Sequence, residues 1–82
     1  NPFNPSTVIK YQLPKDNFVS LKVFNAIGQE VANLVNEVRP TGVYEVNFNA
    51  SDFSSGIYYY TLRIGAGSSN EYTKTNKMIL IK

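Results

Sequence analysis

The segment Phe53-Ser54-Ser55-Gly56-Ile57-Tyr58-Tyr59-Tyr60-Thr61-Leu62 decides how the rest of the chain is read. It runs from a short polar loop through a glycine into large alternating residues, and Arg63 and Ile64 continue it. β-Branched and aromatic side chains dominate from Ile57 to Ile64, which suits a pleated, half-buried surface. A period of two places Tyr58, Tyr60, Leu62 and Ile64 on one face and Ile57, Tyr59, Thr61 and Arg63 on the other. The first set is apolar or aromatic throughout and the second is mixed. The spacing therefore predicts a central strand with its Tyr58 face in the core.

The approach to this strand narrows the fold. An apolar residue, two small polar ones, a glycine, any residue, a tyrosine, any residue and a second tyrosine is how a chain crosses between the sheets of an immunoglobulin-like sandwich. In that arrangement the first tyrosine bends back and hydrogen-bonds the backbone a few residues upstream. Tyr58 fits this role, with Phe53 and Tyr60 completing a structural corner. A buried aromatic pair is the favoured reading of Tyr58 and Tyr60, and a ligand-stacking platform is the competing one. Of the three consecutive tyrosines, Tyr59 alone is assigned to surface contact.

Working outward, the same alternation recurs. Thr7 to Leu13 points Ile9, Tyr11 and Leu13 to one face and Val8, Lys10 and Gln12 to the other, a strand with one solvated side. Phe18 to Asn25 points Val19, Leu21 and Val23 inward, leaving Phe18 and Phe24 on the outward phase to cap the sandwich or meet another part of a parent protein. Val43 to Asn49 points Tyr44, Val46 and Phe48 inward. Between these runs, Pro14 to Asn17, Asn25 to Gln29, Arg39 to Gly42 and Asn49 to Asp52 carry turn chemistry, with Gly28 placed to supply a positive φ. Glu30 to Val38 is ambiguous, because Val31, Leu34, Val35 and Val38 recur at three and four. The stretch is short and weakly capped, so two strand pieces bent near Asn33 are expected rather than a helix. Gly65 to Asn70 reads as a flexible hairpin tip. Glu71 to Ile81 is the closing strand, polar in its first half and apolar on both faces in its second, which suits a partner on its outer side. The two prolines of Asn1 to Ser6 forbid helix and are expected to pin Phe3 against the domain edge. The sum is a single all-β domain over residues 1–82, an immunoglobulin-like β-sandwich of about seven antiparallel strands.

Composition excludes several function classes. With 82 residues there is one core. The chain contains neither Cys nor His, which removes disulfides, thiolate metal sites, and the commonest general base and metal ligand. The net charge of +2 comes from dispersed residues and gives no nucleic-acid footprint. No apolar run approaches the roughly 20 residues of a membrane-spanning helix, so no membrane insertion is expected. Any Ser or Thr nucleophile would need Lys or a carboxylate as its base, and no Ser-x-x-Lys or carboxylate pair stands in a suitable setting. Asp52 and Glu71, near loop tips, are the weak candidates for a calcium ion. The reading is non-enzymatic, with no cofactor and no metal. Because the chain opens on Asn1-Pro2 without a Met, it is expected to be a piece of a longer polypeptide whose export signal lies upstream.

Four segments fall in order across the chain: Asn1-Pro2-Phe3-Asn4-Pro5-Ser6-Thr7, Val23-Phe24-Asn25-Ala26-Ile27-Gly28-Gln29-Glu30-Val31, Ser55-Gly56-Ile57-Tyr58-Tyr59-Tyr60 and Lys77-Met78-Ile79-Leu80-Ile81-Lys82. Together they resemble the type A C-terminal sorting domain of the type IX secretion system, which is related to the immunoglobulin-like domain of flagellar hook-capping proteins. The resemblance implies a non-catalytic signal that directs an upstream cargo domain of the same chain, via the periplasm, to the cell surface or medium. It implies the type IX secretion machinery as partner and, in many members, a sortase-like peptidase that removes the domain and anchors the cargo. Carried over by position, recognition by the translocon falls on Gly56, Tyr58, Lys77, Met78, Ile79, Leu80, Ile81 and Lys82. An apolar strand held between two lysines can be gripped by edge pairing, and the plain alternative is that it is the last core strand. Two further readings compete: a structural or adhesive module capable of self-assembly into filaments, and a carbohydrate-binding module stacking sugars on Tyr59, Phe24 or Tyr72.

Overall fold

Alternation in the sequence becomes strands wherever it is regular. A computed structural model describes residues 2, 3, 5–65, 67, 68 and 70–81, and among these there is no helix. The strands are β1 (Pro2–Phe3), β2 (Ser6–Leu13), β3 (Asn17–Asn25), β4 (Glu30–Arg39), β5 (Gly42–Asn49), β6 (Gly56–Ile64) and β7 (Tyr72–Leu80). They form two sheets, one in the order β1-β7-β6-β3-β4 and the other a pair, β2-β5. All contacts between the six long strands are antiparallel. The two-residue β1 runs parallel to β7, with Pro2 opposite Ile79 and Phe3 opposite Leu80. Putting β2 and β5 in one sheet and β3, β6 and β7 in the other reproduces the B,E and C,F,G partition of an immunoglobulin-like sandwich. β4 takes the C′ place beside β3.

The core sits between the sheets. Leu13 comes from the small sheet, and Val19, Leu21, Val23 and Leu80 from the large one, all essentially solvent-free. Ile9, Tyr11 and Phe48 close the small-sheet side, and Tyr58, Leu62 and Met78 the other. The inward sets expected for β2 and β3 are buried, but Ser20, expected to point outward from β3, is buried as well, because β4 and β6 flank β3 on both sides. In β5 only Phe48 is fully buried, while Tyr44 and Val46 are half-buried against the core. Tyr11 and Tyr44, opposite each other across β2 and β5, stack with centroids 5.2 Å apart.

The strand count corrects the expectation from sequence: six antiparallel strands, not about seven. Glu30 to Arg39 is one ten-residue strand rather than two pieces. Against β3, the register slips between Leu21 and Lys22 and again between Val23 and Phe24, leaving Leu34 and Val31 as extra residues on β4. Each bulge reverses the inward phase by one position. Two bulges in one strand turn a spacing of two into the threes and fours that imitate a helix.

Turns are closed by local polar contacts. Gly28 has φ 88°, and the Asn25 side chain spans the same turn, accepting from the Ile27 and Gln29 amides at 3.2 and 2.9 Å. Thr41 joins two turns, since its amide donates to Asp16 Oδ1 and its hydroxyl to the Leu13 carbonyl, both at 2.8 Å. Ala66 and Ser69 of the expected flexible tip lie outside the described residues, while the Ser68 hydroxyl donates to the Gly65 carbonyl at 2.7 Å. Phe18, on the outward phase, faces the exposed Val38 across β3 and β4.

Candidate functional site

Gly56, Tyr58, Tyr60 and Lys77 to Leu80 gather at one end of the large sheet, where β6 begins and β7 ends. Tyr58 is buried, and its hydroxyl donates to the Ser54 carbonyl at 2.7 Å, tying the loop to the strand that follows it. Phe53 stacks on Tyr58 at 5.8 Å and lies 5.7 Å from Phe48 of the small sheet, so an aromatic chain crosses the sandwich here. Tyr60, half-buried, accepts a hydrogen bond from Asn76 Nδ2 at 2.6 Å. Tyr44 makes a similar i to i−4 bond, donating to the Pro40 carbonyl at 2.6 Å. Sequence reasoning misses this bond, although Pro40 four residues before a tyrosine is a usable signal.

Gly56 opens β6 opposite Leu80 and has φ 154°. A Cβ there would meet nothing within 4 Å, so the glycine answers to backbone conformation rather than to packing.

The end strand divides by face. Met78 and Leu80 point into the core and are buried, whereas Ile79 is half-buried on the outer face, opposite Ile57, and Ile81 is half-exposed beyond the strand. Lys77 is exposed opposite Tyr59, and Lys82 lies outside the described residues. The backbone edge is not free along its whole length, because β1 covers it at Ile79 and Leu80. A strand added from outside therefore meets β7 between Tyr72 and Met78, unless β1 is displaced. The outer face here presents Phe24, Ile57, Tyr59 and Ile79 beside Lys77, an apolar group bordered on its other side by the Lys22–Glu30 ion pair.

The other candidates do not assemble. Phe24 and Tyr59 are cross-strand neighbours, but Tyr72 pairs with Ile64, on the opposite face and at the far end of the sheet. The three aromatics considered for sugar stacking therefore form no common platform. Glu71 is already engaged: Arg63 Nη2 lies 2.8 Å and Arg63 Nε 2.9 Å from its Oε2, and the Gly67 amide and Thr73 hydroxyl also donate to its carboxylate. The Arg63 bond, then those from Gly67 and Thr73, hold its carboxyl below the usual range. Among the described residues no three Asp, Glu, Cys or His side chains cluster as a metal site.

Comparison with known proteins adds one finding. A family model described as the secretion system C-terminal sorting domain matches residues 1–82. No curated protein and no solved structure compared with the chain matches it.

Proposed function

The chain belongs to the family of secretion system C-terminal sorting domains, those of type IX secretion, and from that premise we propose how it carries its signal. Membership makes it part of a cargo chain that interacts with the type IX machinery and is exported to the cell surface or medium. In our reading residues 1–82 are a single non-catalytic domain that guides an upstream cargo domain, and the machinery reads the outward half of the end strand. Lys77, Ile79 and Ile81, with Lys82 beyond them, are the contact residues. Met78, Leu80, Gly56 and Tyr58 act by holding that surface in shape.

The observation that carries this division is the split of Met78 to Ile81 into two buried residues, Met78 and Leu80, a half-buried Ile79 on the outer face and an exposed Ile81 just past the strand. Burial of Met78 and Leu80 stabilises the sandwich by roughly 1.5–3 kcal/mol each, so neither can be offered to a receptor without opening the core. Ile79 and Ile81 carry no such cost. Passage through the periplasm and later action of a sortase-like peptidase complete the proposal, and both rest on the resemblance of the four quoted segments.

A reporter fused upstream of residues 1–82 and expressed in a type IX-competent bacterium tests it. Ile79→Ser with Ile81→Ser is expected to abolish export while the purified domain still unfolds cooperatively. Export of that double variant at the unaltered level overturns the assignment. Deletion of residues 78–82 is the poorer test, because it removes the signal and the core together.

A further inference from the structure

We propose that the groove between the free edge of β2 and the inner face of β7 binds an extended, acidic polypeptide segment, which adds to the small sheet as a third strand. The proposal does not depend on the sorting role and concerns the opposite side of β7.

The first observation is an open edge. β2 pairs with β5 on one side and, among the described residues, with no strand on the other. The Ala50 amide donates to the Pro5 carbonyl at 2.8 Å, which fixes the phase of this ladder. In the antiparallel alternation, Thr7, Ile9, Tyr11 and Leu13 then exchange bonds with β5, while Ser6, Val8, Lys10 and Gln12 direct their N–H and C=O groups to the free edge.

The second observation is an overhang. The large sheet is wider than the pair that faces it, and Tyr72 and Lys74, on the inner side of β7, are exposed. The groove below them is narrow where Thr7, Val8 and Ile9 approach Asn76 and Met78, about 120 Å³. A second, wider cavity of about 470 Å³ lies farther along the same edge, between Lys10, Gln12, Pro14 and Lys15 on one side and Tyr72 and Lys74 on the other, with Leu62 and Ile64 as its apolar floor. Along the edge of β2 there is room for an extended segment of about seven residues at about 3.3 Å each.

Charge selects the occupant. Lys10, Lys15 and Lys74 line the wide part, and no carboxylate does. Glu45 lies 3.7 Å from Lys10, but both side chains are well solvated and leave the lysine available. Lysines on an edge ordinarily deter pairing with another copy of the same strand. Here they also favour a strand of opposite sign. Main-chain bonds to β2 would supply the docking, alternate apolar side chains would rest on Leu62 and Ile64 beside Lys74, and carboxylates on the other phase would face Lys10.

The test uses the 82-residue chain and a blocked peptide of about eight residues alternating valine with glutamate, with the valine–lysine peptide as control. In a ¹⁵N NMR titration the acidic peptide is expected to shift the amides of Val8, Lys10 and Gln12 and protect them from hydrogen exchange. The basic peptide should leave them unchanged. Lys10→Glu should weaken the acidic peptide by about fivefold. Gln12→Pro removes one outward N–H without touching the β5 ladder and should weaken it further while the domain stays folded. Equal binding of both peptides, shifts confined to the edges of β4 or β5, indifference to Gln12→Pro, or occupation of the groove by a second copy of the chain would each overturn the proposal.

Discussion

The hydroxyl of Tyr58 is the smallest unit whose removal has a measurable consequence. Its bond to the Ser54 carbonyl is short and part-buried. Tyr58→Phe leaves that carbonyl unpaired and is expected to cost about 1–2 kcal/mol in urea denaturation. Tyr59→Phe, on the outer face, should stay within about 0.5 kcal/mol. Gly56→Ala meets open space yet forces an L side chain to φ 154°, and should destabilise the fold by about 1–3 kcal/mol. Loss of export on altering Gly56 or Tyr58 would therefore report a damaged fold unless stability is measured alongside. Leu80→Ala should cost about 2–5 kcal/mol and Ile79→Ala clearly less, a contrast visible in one pair of melting curves.

At the scale of elements, the β6–β7 hairpin depends on Glu71, which gathers Arg63, Gly67 and Thr73. Because the carboxyl is lowered in the folded state, its contribution is complete above the ordinary value of 4.5. It is lost as pH falls through the lowered value. NMR titration should find the Glu71 carboxyl ionising below its ordinary value of 4.5, with hairpin amides losing protection in step. Glu71→Gln should remove that step. Strands of regular alternation are legible in the residues themselves: β2, β3 and the Tyr58 face of β6 follow from period two alone. β4 is not, since its two bulges imitate a helical period, and a bulge is set by a partner strand that the local sequence does not name. The division of β7 into core and outer residues is hidden for a different reason. Four consecutive apolar residues carry no phase, and only pairing with β6 assigns Met78 and Leu80 to the inside. The groove beside β2 arises because the sheets are unequal in width, a property of how the strands are shared out and of no single one.

At the scale of the molecule, the first and last strands lie side by side at one edge of the large sheet, where β1 shields Ile79 and Leu80 of β7. Removing residues 1–5 should uncover that edge, lower the melting temperature and raise self-association in sedimentation, the behaviour of an unguarded strand. The parallel sense of this contact bears on mechanics. When two neighbouring strands run the same way and the domain is drawn taut from its opposite ends, the interstrand bonds are loaded in shear and must yield together. An antiparallel terminal pair would be peeled one bond at a time. Tension transmitted along a polypeptide that enters through β1 and leaves through β7 is thus resisted first at Pro2–Phe3 against Ile79–Leu80. That two-residue clasp would set the force at which the sandwich gives way, and single-molecule extension with and without it would read the difference directly.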